Sequence, residues 1–450
     1  MEPTTEQFDA VIVGARCAGS ATAIALAQRG LHVLAIDSAR FPSDTLSTHL
    51  LWPTTLAEIQ AIGALPAVEA IGAPRMPIAQ AALDDIVWET GYSAVSGIDY
   101  AMCVRRTRLD AVTLGVAIDA GAVVRQQCTA TALVRTGGRV AGLRYTDSDD
   151  REHEVRAPIV IGADGRKSFV AKAVGADVPL LAQPSGRACY FAYWTDPHAD
   201  LRHIASQWRV DGLLGTAFPC DDGKVLSLLQ PPIDLIPEFR GRKVREAYLA
   251  GVDALPGLAK RLAGCELVSQ VRSCTGIESY FRRSSGPGWA LAGDAGHFKD
   301  PVTAQGIRDA YRYGRLLGEA LAPVLGSRTG VIPDAVDAAT ARWAAQRERD
   351  CIDIYQWTNV LAAGQPPSPI EYELYYRAQT RPDYAATLAD IYNRVAAPSE
   401  MTPPRTITAA VASALRRPGV AGRDVAGDVR DQVGRVGRDL LQRRRFLSTR

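Results

Sequence analysis

The sequence predicts an α/β fold in which a parallel sheet is interleaved with a mixed sheet and followed by a wholly helical C-terminal region. Three observations carry this. Val11-Ile12-Val13-Gly14-Ala15-Arg16-Cys17-Ala18-Gly19 joins an apolar strand to a small-residue helix through a glycine turn. Far down the chain, Leu291-Ala292-Gly293-Asp294-Ala295-Gly296-His297 runs into Asp300-Pro301-Val302-Thr303-Ala304-Gln305-Gly306, another strand that ends in glycine and acid before a helix. Beyond about residue 333 apolar positions follow helical spacing, with proline-rich breaks at 366–369 and 403–404.

Taken in order, Phe8 to Val13 is a buried-type strand, Ala18–Arg29 a helix stopped by Gly30, and His32–Ile36 a second strand ending at Asp37. Together they form a β-α-β unit. A loop from Ser38 to Leu50 precedes a helix carrying Leu56, Ile59 and Ile62 and ended by Gly63. Residues 78–104 alternate as strands do and contain Trp88 and Tyr92, and Leu109 to Ala120 is a helix closed by Gly121. Strands follow near 129–135, 139–146 and 153–162, then several aromatic-rich strands across 187–230. Helices are expected around 236–262, strands at 267–281 and 288–292, and a helix at 304–322.

Bulk composition excludes several classes. With 450 residues, 47% hydrophobic and 22% charged, the chain has material for two or three packed layers. A net charge of +2 argues against nucleic acid as a partner. No run approaches the ~20 apolar residues of a membrane span. The opening with Glu2 and Glu6 does not read as a signal peptide. Eight cysteines without a Cys-x-x-Cys pair suggest a reduced, cytoplasmic protein, and six histidines without ligand spacing predict no metal.

The motifs point to a long cofactor held at several places. A glycine turn at a helix N-terminus presents free N–H groups and a positive dipole to a pyrophosphate. Gly14 makes the turn and Gly19 lets helix and strand pack, while Arg16 replaces the usual middle glycine. Its guanidinium could lie along the phosphates or point into the cofactor pocket. Asp37, followed by Ser38, ends the second strand, where a carboxylate would accept ribose hydroxyls. Ile159-Val160-Ile161-Gly162-Ala163-Asp164-Gly165-Arg166-Lys167-Ser168 delivers Asp164 into another glycine turn, with Ser168 placed to cap the next helix; a simple strand-to-helix turn explains it equally well. Strand 289–292 places Asp294 at its carboxyl end, and the amides entering helix 304–322 could stabilise negative charge.

In order and spacing these elements resemble the class A, para-hydroxybenzoate hydroxylase-like FAD-dependent monooxygenases over roughly the first 330 residues. The resemblance implies a Rossmann-like FAD-binding domain of the glutathione-reductase type at 1–75, 100–178 and 285–330. It also implies a substrate-binding sheet domain at 76–99 and 179–284, with the helical region at 331–450. Gly14, Ala15, Arg16, Cys17, Ala18 and Gly19 would cradle the FAD pyrophosphate, and Asp37 and Ser38 the adenosine ribose. Gly293 and Asp294 match the ribityl-binding element, and backbone amides at Gly306, Ile307 and Arg308 would face the pyrimidine edge. Arg106 matches an FAD-contacting residue, and Asp164 one associated with both FAD and the nicotinamide nucleotide. Arg16, Gln305 and Arg308 depart from the residues usual at those positions. The chain also resembles a bacterial subgroup that carries Gly-Ala-Arg-Cys-Ala-Gly and a Phe41-to-His49 segment.

In that family NAD(P)H reduces the flavin and O2 then donates one oxygen atom to a small molecule through a flavin hydroperoxide. His49, Pro301 and Gln305 are the candidates beside the reacting ring, although His49 could equally cap a helix. Within the aromatic cluster of the substrate sheet, Tyr190, Trp208 and Phe218 are the substrate-binding candidates, and about half of such residues should face a pocket. Arg187 and Arg209 could supply a counter-charge, His297 should be structural, and Lys299 with Asp300 should form a solvated surface pair. The basic tail has Val425, Val429, Val433, Val436 and Leu440 at helical spacing. It should dock on its own domain, the alternatives being a membrane surface or a partner helix. A monomer or homodimer is expected. Competing readings are a flavin-dependent C=C reductase of the geranylgeranyl reductase type and a non-catalytic flavin-binding accessory protein. The tryptophan-halogenase segment Trp-x-Trp-x-Ile-Pro is absent.

Overall fold

The computed structural model describes residues 6–239, 241–327 and 330–448. At its centre lies a parallel sheet in the order Trp289–Leu291, Val160–Gly162, Ala10–Val13, Val33–Asp37 and Val123–Gln126, with Ser285–Gly286 antiparallel at one edge. Val13 pairs with Gly162 on one side and Ile36 on the other, and Gly162 in turn pairs with Leu291. Three strands far apart in sequence therefore end level, and the glycine turns leave one sheet edge together. Residues of these strands are buried throughout, as in a sheet covered on both faces.

One face carries the helix Cys17–Ala27, wedged against Arg106–Asp119 and Gly306–Leu325. Small residues permit that closeness: a Cβ on Gly314 would stand 2.6 Å from the Ala18 carbonyl oxygen. The other face carries an antiparallel meander, Thr129–Thr136, Arg139–Thr146 and Glu152–Arg156, joined in parallel by Glu6–Gln7. Val140, Leu143, Tyr145 and Val155 from it pack with Val11, Val13, Leu34 and Ile36.

A second, mixed sheet runs Arg272–Cys274, Cys189–Thr195, Lys224–Gln230, Leu213–Cys220, Ile204–Val210, Ile78–Leu83 and Ile86–Gly91. Alternation divides its aromatics. Tyr190 and Trp194 pack with Tyr248 and Leu258 on the face covered by the helices Val244–Asp253 and Pro256–Arg261. Phe191 and Phe218 belong to the opposite face. The helical stretch expected at 236–262 is broken into Ile233–Phe239, which contains Pro237, then Gly241–Lys243, Val244–Asp253 and Pro256–Arg261. The strand expected at 267–281 is interrupted before Glu278, with Gly276 left-handed at φ +61°.

Pro333–Leu361, Pro369–Thr380, Pro382–Tyr392, Pro404–Ala414 and Gly422–Ser448 complete the chain as helices. Proline stands at the first position of the first four, where its missing N–H has no intrahelical acceptor anyway. No helix among the described residues is long and apolar enough to cross a membrane.

Candidate functional site

Where the three turns meet, glycine is required by contact. Gly14 has φ +97°, and a Cβ there would lie 2.4 Å from the Ala163 carbonyl oxygen; one on Gly19 would lie 1.8 Å from that of Gly14. A Cβ on Gly293 would come within 2.8 Å of the Ala18 Cβ. The first helix therefore begins between the second and third turns, and its first-turn amides have no intrahelical acceptor. Asp37 clamps the assembly: one carboxylate oxygen accepts from the Ala15 amide at 2.8 Å and the other from Ala39 at 2.8 Å.

The third turn differs from the second in what its acid does. Asp164 is engaged locally, accepting from the Ser168 hydroxyl at 2.5 Å and the Val170 amide at 3.1 Å, while Ser168 caps the helix by accepting from Ala171. The Asp294 carboxylate makes no hydrogen bond to another described residue. It faces a small polar hollow with Gly293, Lys299, Gly306 and Arg347. Burial pushes its pKa up to about 6, against the pull of Arg166 and Arg106. Next in the chain, the Asp300 carboxylate caps Pro301–Thr303 by accepting from the Val302 amide, Ala304 turns left-handed at φ +52°, and the helix Gly306–Leu325 begins.

Pro301, Val302, Thr303 and Ala304 also wall a cavity that extends under the mixed sheet. Trp52, Trp88 and Phe218 supply its aromatic walls, and Tyr375 and Tyr392 close it from the C-terminal helices. Gln80, Gln207, Gln230, Thr48 and Thr216 supply polar groups, and among the described residues no Asp, Glu, Lys, Arg or His lines it. Burial raises the Tyr392 phenol to about 12, so it stays neutral. The Thr216 Oγ1, Gln230 Oε1 and Trp88 Nε1 atoms have no hydrogen-bond partner among the described residues.

Comparison with known proteins bears on the first two of these turns. Residues 7–190 match the family model described as FAD binding domain. The N-terminal part of this flavoprotein is an FAD-binding domain. It is 25% identical over 346 residues to a digeranylgeranylglycerophospholipid reductase of Methanosarcina acetivorans, covering 75% of this chain and 80% of that one. A tryptophan 2-halogenase of Chondromyces crocatus is 26% identical over 349 residues, covering 75% and 64%. Among solved structures, the pqsL protein of Pseudomonas aeruginosa, a probable FAD-dependent monooxygenase, superposes with a TM-score of 0.64 at 19% identity, covering 84% and 99%. That last likeness shows the fold alone.

The flavoprotein's residues fit FAD. The turn Gly14–Gly19 could hold the pyrophosphate, and the unpartnered Asp294 carboxylate could hold a polyol. The first-turn amides at Gly306, Ile307 and Arg308 could face a ring edge.

Several expectations are corrected. The Arg16 guanidinium is taken up by the protein's own groups, donating to Asp110 at 2.6 Å, to the Ser43 carbonyl at 3.1 Å and to the Ser43 hydroxyl at 3.0 Å, over the Phe41 ring. Arg106 grips the same carboxylate with two nitrogens, at 2.8 and 2.9 Å, and the Cys17 thiol lies 3.4 Å from it. Asp110 thus joins the helix Arg106–Asp119 to the first turn, and sequence reasoning missed it. Its only trace was the four-residue spacing from Arg106. Gln305 is fully buried with its amide nitrogen donating to the Ile391 and Tyr392 carbonyls at 3.3 and 2.9 Å, so it braces the C-terminal helices and does not line the cavity. Tyr190, stacked on Phe239 at 4.5 Å, and Trp208, packed near Gly257, lie on the far face of the mixed sheet; of the three substrate candidates only Phe218 lines the cavity.

Charged residues are corrected too. Lys299 and Asp300 are buried, and Lys299 pairs with Asp309, not with Asp300. Burial works against ionisation of Asp309, but Lys299, Arg394 and Arg308 together hold its carboxyl well below the usual range. Ligand atoms of His297, Asp309 and Cys351 lie within 4.8 Å of one another, yet these cations already occupy the Asp309 carboxylate. His297 is a core residue, bonded to the Tyr280 carbonyl at 3.0 Å and stacked on Phe281 at 4.0 Å. Arg187 donates to the Leu361 and Gln230 carbonyls at 3.0 and 2.9 Å, and Arg209 to Glu371 at 2.5 Å, so both are struts.

His49 is fully buried, left-handed at φ +60°, and shares a 2.8 Å hydrogen bond between its Nε2 and the Tyr193 hydroxyl. Its Nδ1 has no partner. Burial and then the nearby Arg106 push its pKa down to about 3, so the imidazole is neutral.

Proposed function

We propose that this flavoprotein is a monooxygenase that takes NAD(P)H and O2 and oxygenates a neutral, largely apolar or aromatic small molecule. The carrying observation is the cavity without acids or bases that ends on the Pro301–Ala304 turn. A charged substrate would be desolvated there without a counter-ion, at a cost of several kcal/mol. FAD supplies the redox chemistry, and the protein orients substrate and excludes water. The unpartnered Thr216, Gln230 and Trp88 atoms offer two acceptors and two donors to a polar group on that substrate. Overall, NAD(P)H, a proton, O2 and substrate give NAD(P)+, water and oxygenated product.

A second reading, reduction of an isoprenoid C=C bond, is favoured by the likeness to the Methanosarcina reductase. Oxygen uptake matched to NAD(P)H oxidation, with product carrying 18O from labelled O2, supports the first reading. Reduction of a polyprenyl double bond under anaerobic conditions with no oxygen incorporated replaces it by the second.

A further inference from the structure

Beyond Val429, the C-terminal helix Gly422–Ser448 meets the protein largely through polar side chains and leaves the rest of its apolar stripe outward. Its polar side meets the protein: Asp428 accepts from the Ile370 amide at 3.0 Å, and Gln356 donates to the Asp439 carbonyl at 2.8 Å and to Gln442 at 2.9 Å. Arg443 pairs with Asp353 at 2.7 Å. Apolar packing comes from Val425 and Val429 towards one end and from Phe446 and Leu447 at the other, with the Phe446 ring 4.9 Å from that of Phe281. Between them Val433 is 68% exposed, Val436 56%, Leu440 56% and Leu441 58%. The spacing of Val433, Val436 and Leu440 makes one outward row.

Cations flank that row. Arg423, Arg430, Arg438, Arg444 and Arg445 are exposed on the same helix, against Asp424 and Asp431. We infer that this outward face docks on the anionic surface of a lipid bilayer, with the helix lying in the interfacial plane. Valine and leucine enter the acyl boundary while arginine stems lie along it and their guanidiniums reach lipid phosphates. Self-pairing is disfavoured by charge, since an antiparallel two-fold contact centred on Gly437 sets Arg430 against Arg444 of the other copy. The inference goes beyond the proposed reaction and stands without it. It also gives an apolar ligand a short route: Val429 of this helix packs in the cluster with Ile370 and Leu374, beside Tyr375, which walls the cavity.

The test is sedimentation of the full-length holoprotein with vesicles of phosphatidylglycerol and, separately, phosphatidylcholine. Binding to the first, weakened by salt and at least tenfold weaker for Val436→Asp/Leu440→Asp and for Arg430→Gln/Arg438→Gln, is the expected result. Unchanged flavin content and circular dichroism show that these surface variants are folded. Absence of binding to phosphatidylglycerol, or equal binding by the variants, overturns the proposal. A dimer dissolved by Val436→Asp/Leu440→Asp without vesicle binding assigns the face to a second copy instead, and capture by a soluble acidic protein alone assigns it to that partner.

Discussion

The Arg16 guanidinium meets the Asp110 carboxylate at 2.6 Å, across 94 residues of sequence and at the mouth of the first glycine turn. Arg106 holds the same carboxylate from within its own helix, so one fully buried acid offsets two cations. The residue that disrupts the glycine fingerprint is therefore a structural tie, which also pins the Phe41–Ser43 segment.

Asp110→Ala should destabilise the protein by about 3–5 kcal/mol, because it strands buried guanidinium charge. Arg16→Gly, which restores the usual middle glycine, should cost only about 1.5 kcal/mol, since Arg106 still satisfies Asp110. Urea unfolding of the apoprotein measures both. An Arg16→Gly protein of unaltered apo stability but weakened FAD affinity would instead place Arg16 on the phosphates.

Asp294→Ala should release flavin by removing a charge-assisted hydrogen bond worth roughly 1.5–3 kcal/mol. The apoprotein carries a second signature. Its native carboxyl binds a proton more tightly than the unfolded one, so stability falls as pH rises from about 4 to about 6. Asp294→Asn should flatten that part of the curve. Full retention of FAD by Asp294→Ala after dialysis would exclude the assignment.

His49 has the opposite linkage. It is neutral when folded and protonatable at the ordinary imidazole value of 6.5 when unfolded, so its contribution is complete above that pH and lost as pH falls towards 3. His49→Asn, a residue tolerant of the left-handed backbone, should reduce the acid sensitivity measured by thermal unfolding between those limits. An identical pH profile in the variant would mean that another group dominates.

Phe218 and Tyr190 lie on opposite faces of the mixed sheet and should separate function from stability. Tyr190→Ala should cost about 3–5 kcal/mol as a core truncation and leave the substrate dissociation constant unchanged. Phe218→Ala should change which neutral aromatics bind, read by flavin absorbance perturbation. Altered substrate preference in Tyr190→Ala alone would reverse the assignment of the two faces.

Much of the fold was legible in the sequence, because a strand, a glycine and an acid in succession are local signals. The turns at Gly14, Gly162 and Gly293 could each be recognised without knowing that their strands lie side by side. The helix capped by Ser168 and the helical C-terminal region followed from short-range chemistry as well. What the residues do at the site was less legible. Asp164 and Asp294 look alike in sequence, but only Asp164 finds hydrogen-bond donors in its own turn.

By itself the sequence determined the order of elements, the glycine-bearing turns and the FAD-binding character of the N-terminal part. Those depend on backbone conformation and on periodicity within a few residues. Only the tertiary structure decided that Arg16 turns to Asp110, that Gln305 braces Tyr392, that Tyr190 and Phe218 part company, and that the tail presents Val433, Val436 and Leu440 outward. Each depends on which side chain arrives from a remote segment to satisfy a buried charge, donor or surface. Spacing along the chain does not encode that partner.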